Sequence, residues 1–433
     1  MRLFGTSGIR RLVDESLISL AYRVGLAVGK TYGSVVVGRD PRTSGDLLKH
    51  AVLSGLLAAG AGCDDAGIVP TPTLAFLTRE YRAGVMITAS HNPPEYNGIK
   101  LWNPDGSSFD LSQQGQIEKL VLSELLPIVS WEEMRRSGSV SGATELHLAR
   151  IRQDFTEKLR VKVVVDAGGG AASLVTAYLL KELGGEVIAL NCDPSGFFPR
   201  GIEPKAENLA GLITEVTAAN ADLGIAHDGD ADRMMAVDDR GRFIPGDKLM
   251  AILAREIGAR EVVTTVDASM SLEEMGFQVR RTRVGDTYVS AALKQGGGDF
   301  GGEASGSWIF PAVSLCPDGI YAAAKIAAIA GRHRLSELVD SIPAYPLLRG
   351  TVSSEGIGID GLESRLMTLK PGSVDNIDGL KLNFEDGWLL VRPSGTEPKI
   401  RLTAEAKTEV RVRELYDAGF RVIQDCAGVE ESA

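Results

Sequence analysis

The chain has 433 residues, more than one hydrophobic core normally organises, so three or four domains are expected. Hydrophobic residues at 44%, charged residues at 24% and 50 glycines describe a globular protein with many tight turns. A formal net charge of −11 argues against a general nucleic-acid binder, and no apolar run reaches the roughly 18 residues of a membrane span.

The opening MRLFGTSGIRRLVDE carries charge without an apolar stretch, so it does not read as a signal peptide. Cys63, Cys192, Cys316 and Cys426 are scattered, which argues against a zinc knuckle and fits a reducing, cytoplasmic setting. Apolar periodicity then predicts a helix over 17–30, a strand over 35–37 ended by Gly38-Arg39-Asp40-Pro41, and a helix over 47–59. The turn-rich Pro70-Thr71-Pro72 precedes a helix near 74–79, and a strand follows at Val85-Met86-Ile87. Strands alternating with helices give an α/β domain to about residue 145, with 137–144 as surface loop or edge.

The pattern restarts with a strand over 161–165, a Gly168-Gly169-Gly170 turn, a helix over 171–183 and strands over 187–190 and 223–226. The glycine turn lacks the G-x-G-x-x-G fingerprint, and no P-loop sequence occurs, so nucleotide chemistry is not indicated. A third round predicts helices over 248–257, near 271 and over 287–295, strands over 262–266 and 279–283, and a glycine-rich loop over 300–306. The tail differs, with a helix near 361–369, paired strands over 380–384 and 388–391, a strand over 400–404 and a closing helix over 408–424, an α+β pattern.

Six segments carry chemistry. Thr88-Ala-Ser-His-Asn-Pro93 puts the Ser90 hydroxyl beside His91 in a proline-stiffened turn, a setting for hydrolysis, phosphoryl transfer or plain structure. Asp228-Gly-Asp230-Ala-Asp232-Arg233 brings three carboxylates to one side if the chain is extended there, which needs a cation. Oxygen-only ligands favour a hard ion such as Mg²⁺, and the EF-hand positions for Gly and Glu hold Arg233 and Asp239 instead. Arg392-Pro-Ser394-Gly395-Thr396-Glu-Pro-Lys399 offers a guanidinium, two hydroxyls and turn N–H groups, the donors a phosphate monoester needs. Glu303 and Ser305 in the glycine-rich loop suit sugar hydroxyls. Asn97-Gly-Ile-Lys100 and Gly5-Thr-Ser-Gly-Ile-Arg10 each present a cation, the former on a turn able to fold back toward Ser90.

With GTSGIR, TASHNP, NGIK, DGDADR, GEASG and RPSGTEPK in that order, the chain resembles the α-D-phosphohexomutase superfamily over essentially its full length. The resemblance implies an α/β fold of four domains around a central cleft, three similar α/β domains and a C-terminal α+β domain. The corresponding spans are 1–145 with the phosphoserine loop, 146–246 with the metal loop, 247–350 with the sugar loop and 351–433 with the phosphate loop. It implies phosphorylation of Ser90, Mg²⁺ held by Asp228, Asp230, Asp232 and the seryl phosphate, and a hexose 1,6-bisphosphate as intermediate and activator. Arg10, Lys100 and Arg233 are then expected near the transferring phosphate, His91 in either a catalytic or a structural role, and Arg283 with Arg392 among the substrate contacts.

The resemblance departs at Ser307, where many members carry a histidine after GExSG, and this moves the expectation for proton transfer toward Lys100. Thr282-Arg-Val-Gly-Asp286 is similar to the third-domain segment of phosphoglucosamine mutases. Interconversion of glucosamine 6-phosphate and glucosamine 1-phosphate is therefore expected. Phosphomannomutase or phosphoglucomutase activity is the alternative, and an inactive sugar-phosphate binder a remote one. The expected partner is a hexose or hexosamine monophosphate, with no nucleic acid and no membrane, for a monomer or homodimer.

Overall fold

The computed structural model describes residues 3–353, 359–393 and 399–427. They fall into two compact units, Met1–Ala259 with Gly285–Ser341, and Arg260–Val284 with Ile342–Ala433. Residues 247–350 thus contribute to both.

In the first unit, helix Glu15–Tyr32 starts where Asp14 accepts the Leu17 N–H and stops at Gly33, whose φ of 72° ends the helical path. Its stripe Leu17, Leu20, Ala21, Val24 and Val28 is buried against helix Gly45–Ala58 and the sheet. The two helices approach through glycine. A Cβ on Gly25 would lie 2.2 Å from the Val52 carbonyl oxygen, and one on Gly55 2.1 Å from that of Tyr22.

The sheet they cover runs Ile9–Leu12, Tyr96–Trp102, Ala83–Ile87, Ser34–Arg39, Gly62–Ile68 and Gly138–Ser139. Ser34–Arg39 is parallel to both its neighbours, whereas Tyr96–Trp102 is antiparallel to Ala83–Ile87, with Lys100 opposite Met86. Alternation sorts the strands between two cores. Val35, Val37, Val85 and Ile87 join the first helix pair, while Val36, Met86 and Trp102 pack on helix Thr71–Leu77. NGIK is therefore strand rather than the expected turn. It is apolar on both sides of Lys100 because both faces of the sheet are covered.

A second sheet orders Met234–Asp238, Leu223–His227, Lys162–Asp166 and Glu186–Leu190, the first two antiparallel and the rest parallel. The helix expected over 171–183 breaks at Val175 (φ −129°) into a 3₁₀ turn Ala171–Leu174 and helix Thr176–Glu182. The Ala171 N–H is held by the Gly229 carbonyl, which ties the first turn to the aspartate loop. Residues 300–306 are not all loop either. Phe300–Glu303 and Ser307–Ile309 form an antiparallel pair, and only 304–306 turn.

The second unit carries the parallel pair Glu261–Thr265 and Gln278–Thr282. Its antiparallel sheet runs Leu347–Ser353, Lys399–Ala406, Gly387–Pro393, Leu380–Phe384 and Ser373–Asp375, backed by helices Ile359–Leu366 and Glu409–Ala427. This is the α+β pattern read from the tail. Among the described residues no helix is long and apolar enough to cross a membrane.

Candidate active site

The TASHNP turn begins where strand Ala83–Ile87 ends. Thr88 Oγ1 accepts the Ser90 N–H at 2.8 Å and donates to Asp40 Oδ2 at 2.7 Å. Ser90 has φ +52°, a left-handed conformation that costs a non-glycine residue about 1–3 kcal/mol and needs support. Arg42 supplies it. Its buried guanidinium donates to the carbonyls of Ser90, Asn92, Pro93 and Tyr96 at 2.7–2.9 Å, with Asp40 as counter-ion at 3.1 Å. Burial pushes the Asp40 carboxyl up to about 6, against Arg42 and the Thr88 hydroxyl, which favour its charged form. In sequence, 38–41 reads only as a strand end, and Arg42 just beyond it belongs to no motif. Its partners stand 48–54 positions downstream, so no local pattern marks it.

The aspartate loop is a turn joining Leu223–His227 to Met234–Asp238, not the extended run expected. Ala231 at φ +59° bends it, and the carboxylates converge by wrapping rather than by alternation. Asp228, Asp230 and Asp232 are 1%, 0% and 3% exposed, and one ligand oxygen from each lies within 4.8 Å of the others. Gly229 lets this loop touch the serine turn, since a Cβ there would lie 2.6 Å from the Ser90 carbonyl oxygen. Ser90 Oγ donates to Asp228 Oδ2 at 2.7 Å.

The carboxylate oxygens are divided between protein partners and none. Lys100 Nζ donates to Asp230 Oδ2 at 2.7 Å and Asp232 Oδ2 at 2.6 Å, and Thr71 Oγ1 donates to Asp230 Oδ2 at 2.6 Å. Asp230 Oδ1 and Asp232 Oδ1 are buried with no hydrogen-bond partner among the described residues. Buried anionic oxygens left bare are costly, and with Asp228 they make an all-oxygen donor set that fits Mg²⁺. Burial, then Asp232 and Asp230, raises the Asp228 carboxyl well above the ordinary range, and burial with Asp230 raises Asp232. Burial acts the same way on Asp230, but Lys100, the Thr71 hydroxyl and Arg10 together outweigh it and hold that carboxyl low.

Three cations gather here. Burial works against the Lys100 ammonium, yet Asp230 and Asp232 hold it above the usual lysine range. Arg10, on strand Ile9–Leu12, donates to Asn92 Oδ1 at 3.1 Å; burial and then Arg233 lower its pKa. The Arg233 N–H reaches Asp228 Oδ1 at 3.3 Å and its guanidinium reaches Glu203 at 3.2 Å, a partner not read from sequence. His91 Nδ1 lies 3.3 Å from Ser90 Oγ. Burial, then Arg233, Arg10 and Lys100, pulls its pKa down to about 2, which favours the neutral ring.

Glu303 Oε1 accepts the Gly285 N–H at 2.9 Å, and the Gly306 carbonyl accepts the Met234 N–H at 2.9 Å, so the 304–306 turn abuts the strand leaving the aspartate loop. Ser305 is exposed. Ser7 of the GTSGIR turn donates to Asp286 at 2.5 Å. In the second unit, Asp378 gathers two sequence-named groups. It accepts from Arg392 at 2.9 Å and from the Val284 N–H at 3.1 Å, while Arg283 Nε donates to the Ile377 carbonyl at 3.0 Å. Ser394, Gly395 and Thr396 lie outside the described residues.

Comparison with known proteins agrees along the chain. A probable phosphoglucosamine mutase of Methanocella arvoryzae is 47% identical over 98% of this chain and 99% of its own. That of Pyrococcus horikoshii is 44% identical over 98% of each. A crystal structure of a phosphoglucomutase/phosphomannomutase family protein from Burkholderia thailandensis superposes with a TM-score of 0.87 at 29% identity, covering 99% of this chain and 98% of that one. The phosphoglucomutase/phosphomannomutase α/β/α domains I, II and III match residues 1–126, 144–241 and 245–345, and the C-terminal domain matches 353–421. The chain belongs to the phosphoglucomutase/phosphomannomutase family.

Proposed function

We propose that the chain is a phosphoglucosamine mutase that interconverts glucosamine 6-phosphate and glucosamine 1-phosphate through a phosphoserine at Ser90. The observation that carries the reading is the Ser90 hydroxyl on Asp228, inside a buried cluster of three aspartates with two bare oxygens. The choice of sugar is supported by relatives at 41–48% identity that bear the phosphoglucosamine mutase name.

Asp228, Asp230 and Asp232 would hold Mg²⁺, which when bound offsets negative charge on the seryl phosphate. Arg10, Lys100 and Arg233 add fixed positive charge around Ser90 Oγ, where the P–O bond breaks as a new one forms to the sugar hydroxyl. Lys100, an ammonium between two carboxylates, gives Ser90 Oγ its proton and takes up the one the sugar hydroxyl releases, so it ends the transfer as it began, and His91 serves as a hydrogen-bond partner at Oγ. The product is a hexosamine 1,6-bisphosphate, which turns around so that its other phosphate returns to Ser90. Arg392 with Ser394, Gly395 and Thr396 are assigned to the non-reacting phosphate, Glu303 and Ser305 to sugar hydroxyls, and Arg283 to the substrate contacts of the third-domain segment.

Comparing kcat/KM for glucosamine, mannose, glucose and N-acetylglucosamine phosphates tests the substrate. Glucosamine phosphate is expected to rank first, and a last place would overturn the choice.

A further inference from the structure

Thr71 stands 157 positions before Asp228 and belongs to none of the motifs that carry the family likeness. It nevertheless grips the aspartate loop twice. Its hydroxyl donates to Asp230 Oδ2 at 2.6 Å, and its backbone N–H donates to the Asp230 carbonyl at 2.9 Å. Both residues are completely buried, so water does not compete for either bond.

The consequence lies in which oxygen is taken. Thr71 and Lys100 both occupy Oδ2, and Oδ1 of the same carboxylate is left buried and bare. A carboxylate with two donors on one oxygen cannot rotate about χ2 without breaking them, so its other oxygen points in a fixed direction. Lys100 alone does not fix Asp230, because its ammonium sits on a flexible stem and also serves Asp232. Thr71 is β-branched, and Pro72 restricts its backbone.

The short helix Thr71–Leu77 is itself pinned. Thr73 Oγ1 lies 3.0 Å from His147 Nδ1, and His147 Nε2 lies 2.9 Å from Asp318 Oδ2, all three residues being buried. Asp318 caps the helix Gly319–Ala330, and Gly319 abuts the aspartate loop, where a Cβ would lie 2.7 Å from the Ala231 carbonyl oxygen. Thr71 and the loop it grips are thus referenced to one buried frame.

We propose that Thr71 is a positioning residue for the metal centre, dividing the Asp230 carboxylate so that Oδ2 belongs to the protein and Oδ1 to the divalent cation. This rests on the mutase reading of the aspartate cluster. The general pattern is a partner behind the ligand that orients it, and losing such a partner typically weakens metal binding about 10–100-fold.

The test measures Mn²⁺ binding to the full-length, unphosphorylated chain by electron paramagnetic resonance of the free ion, beside KM for the sugar phosphate. Wild type, Thr71→Val, Thr71→Ser and Asp230→Asn are compared. Thr71→Val keeps the shape and the backbone bond but removes the hydroxyl. We expect it to bind Mn²⁺ at least about tenfold more weakly with KM for sugar phosphate unchanged, while Thr71→Ser binds as wild type. Should Thr71→Val not fold, Thr71→Ser decides: wild-type affinity supports the hydroxyl's role, and a tenfold loss overturns it. If wild type binds and Asp230→Asn does not, but Thr71→Val binds as wild type, the Thr71 assignment fails and the mutase reading stands. If wild type binds no Mn²⁺, both fail.

Discussion

Arg42 and Asp40 show how much of the serine turn is built by residues outside the segments that carry chemistry. Four carbonyls of the serine turn converge on one guanidinium, and Asp40 joins that guanidinium to Thr88 and through it to the Ser90 N–H. Arg42→Met removes one partner of a buried ion pair and leaves the carbonyls unpaired. We expect urea unfolding to show a loss of about 3–5 kcal/mol, and a change under about 1 kcal/mol would contradict the role given to Arg42. Ser90, the three aspartates, Lys100, Arg10 and Arg233 were all legible, because each lies in a short segment dense in one chemistry. Arg42, Thr71 and Glu203 were not, since their meaning lies in partners distant in sequence. His91 was half legible. Its position was clear, but its neutrality comes from burial and from three cations supplied by other segments.

Elements with one clean period were read closely: the helix expected over 17–30 is Glu15–Tyr32, and the strand over 35–37 is Ser34–Arg39. Errors arose where tertiary contact overrides local pattern. Asp228 to Arg233 looked extended from its alternating carboxylates, but the antiparallel pairing of the flanking strands makes it a turn. Gly229 is the contact point of that turn with Ser90. Gly229→Ala should push the two loops apart and lower kcat/KM at least about a hundredfold, the scale of a 1 Å misplacement. Near-wild-type kcat/KM would show that the contact is dispensable.

Strand Leu380–Phe384 carries a different strain. Lys381 is buried, donates to the Val266 carbonyl at 2.7 Å and lies 4.2 Å from the Trp388 ring centroid. Burial, then Arg281, brings its pKa down to about 7. Between that value and the unfolded value near 10.4 the unfolded chain binds more protons, so this group makes stability rise with pH. The urea stability of Lys381→Met minus that of wild type should therefore fall as pH goes from 7 toward 10. A difference that stays flat would show that Lys381 keeps its proton across this range.

At the scale of the molecule, the fold was legible as repetition. Strand–helix alternation restarts along the chain, and the tail changes to an antiparallel α+β pattern, which the second unit contains. Sugar choice was not legible in that repetition, because an amine in place of one hydroxyl alters a few contacts and no element. On the proposed function, the chain carries a phosphate on one serine and gives it back. The direct measurement is tandem mass spectrometry of the full-length protein after incubation with Mg²⁺ and glucosamine 1,6-bisphosphate, then after a chase with glucosamine 6-phosphate. The account predicts phosphate on Ser90 that is lost on the chase, and no phosphorylation or turnover in Ser90→Ala. Mutase turnover by a protein that never carries phosphate at Ser90 would contradict it.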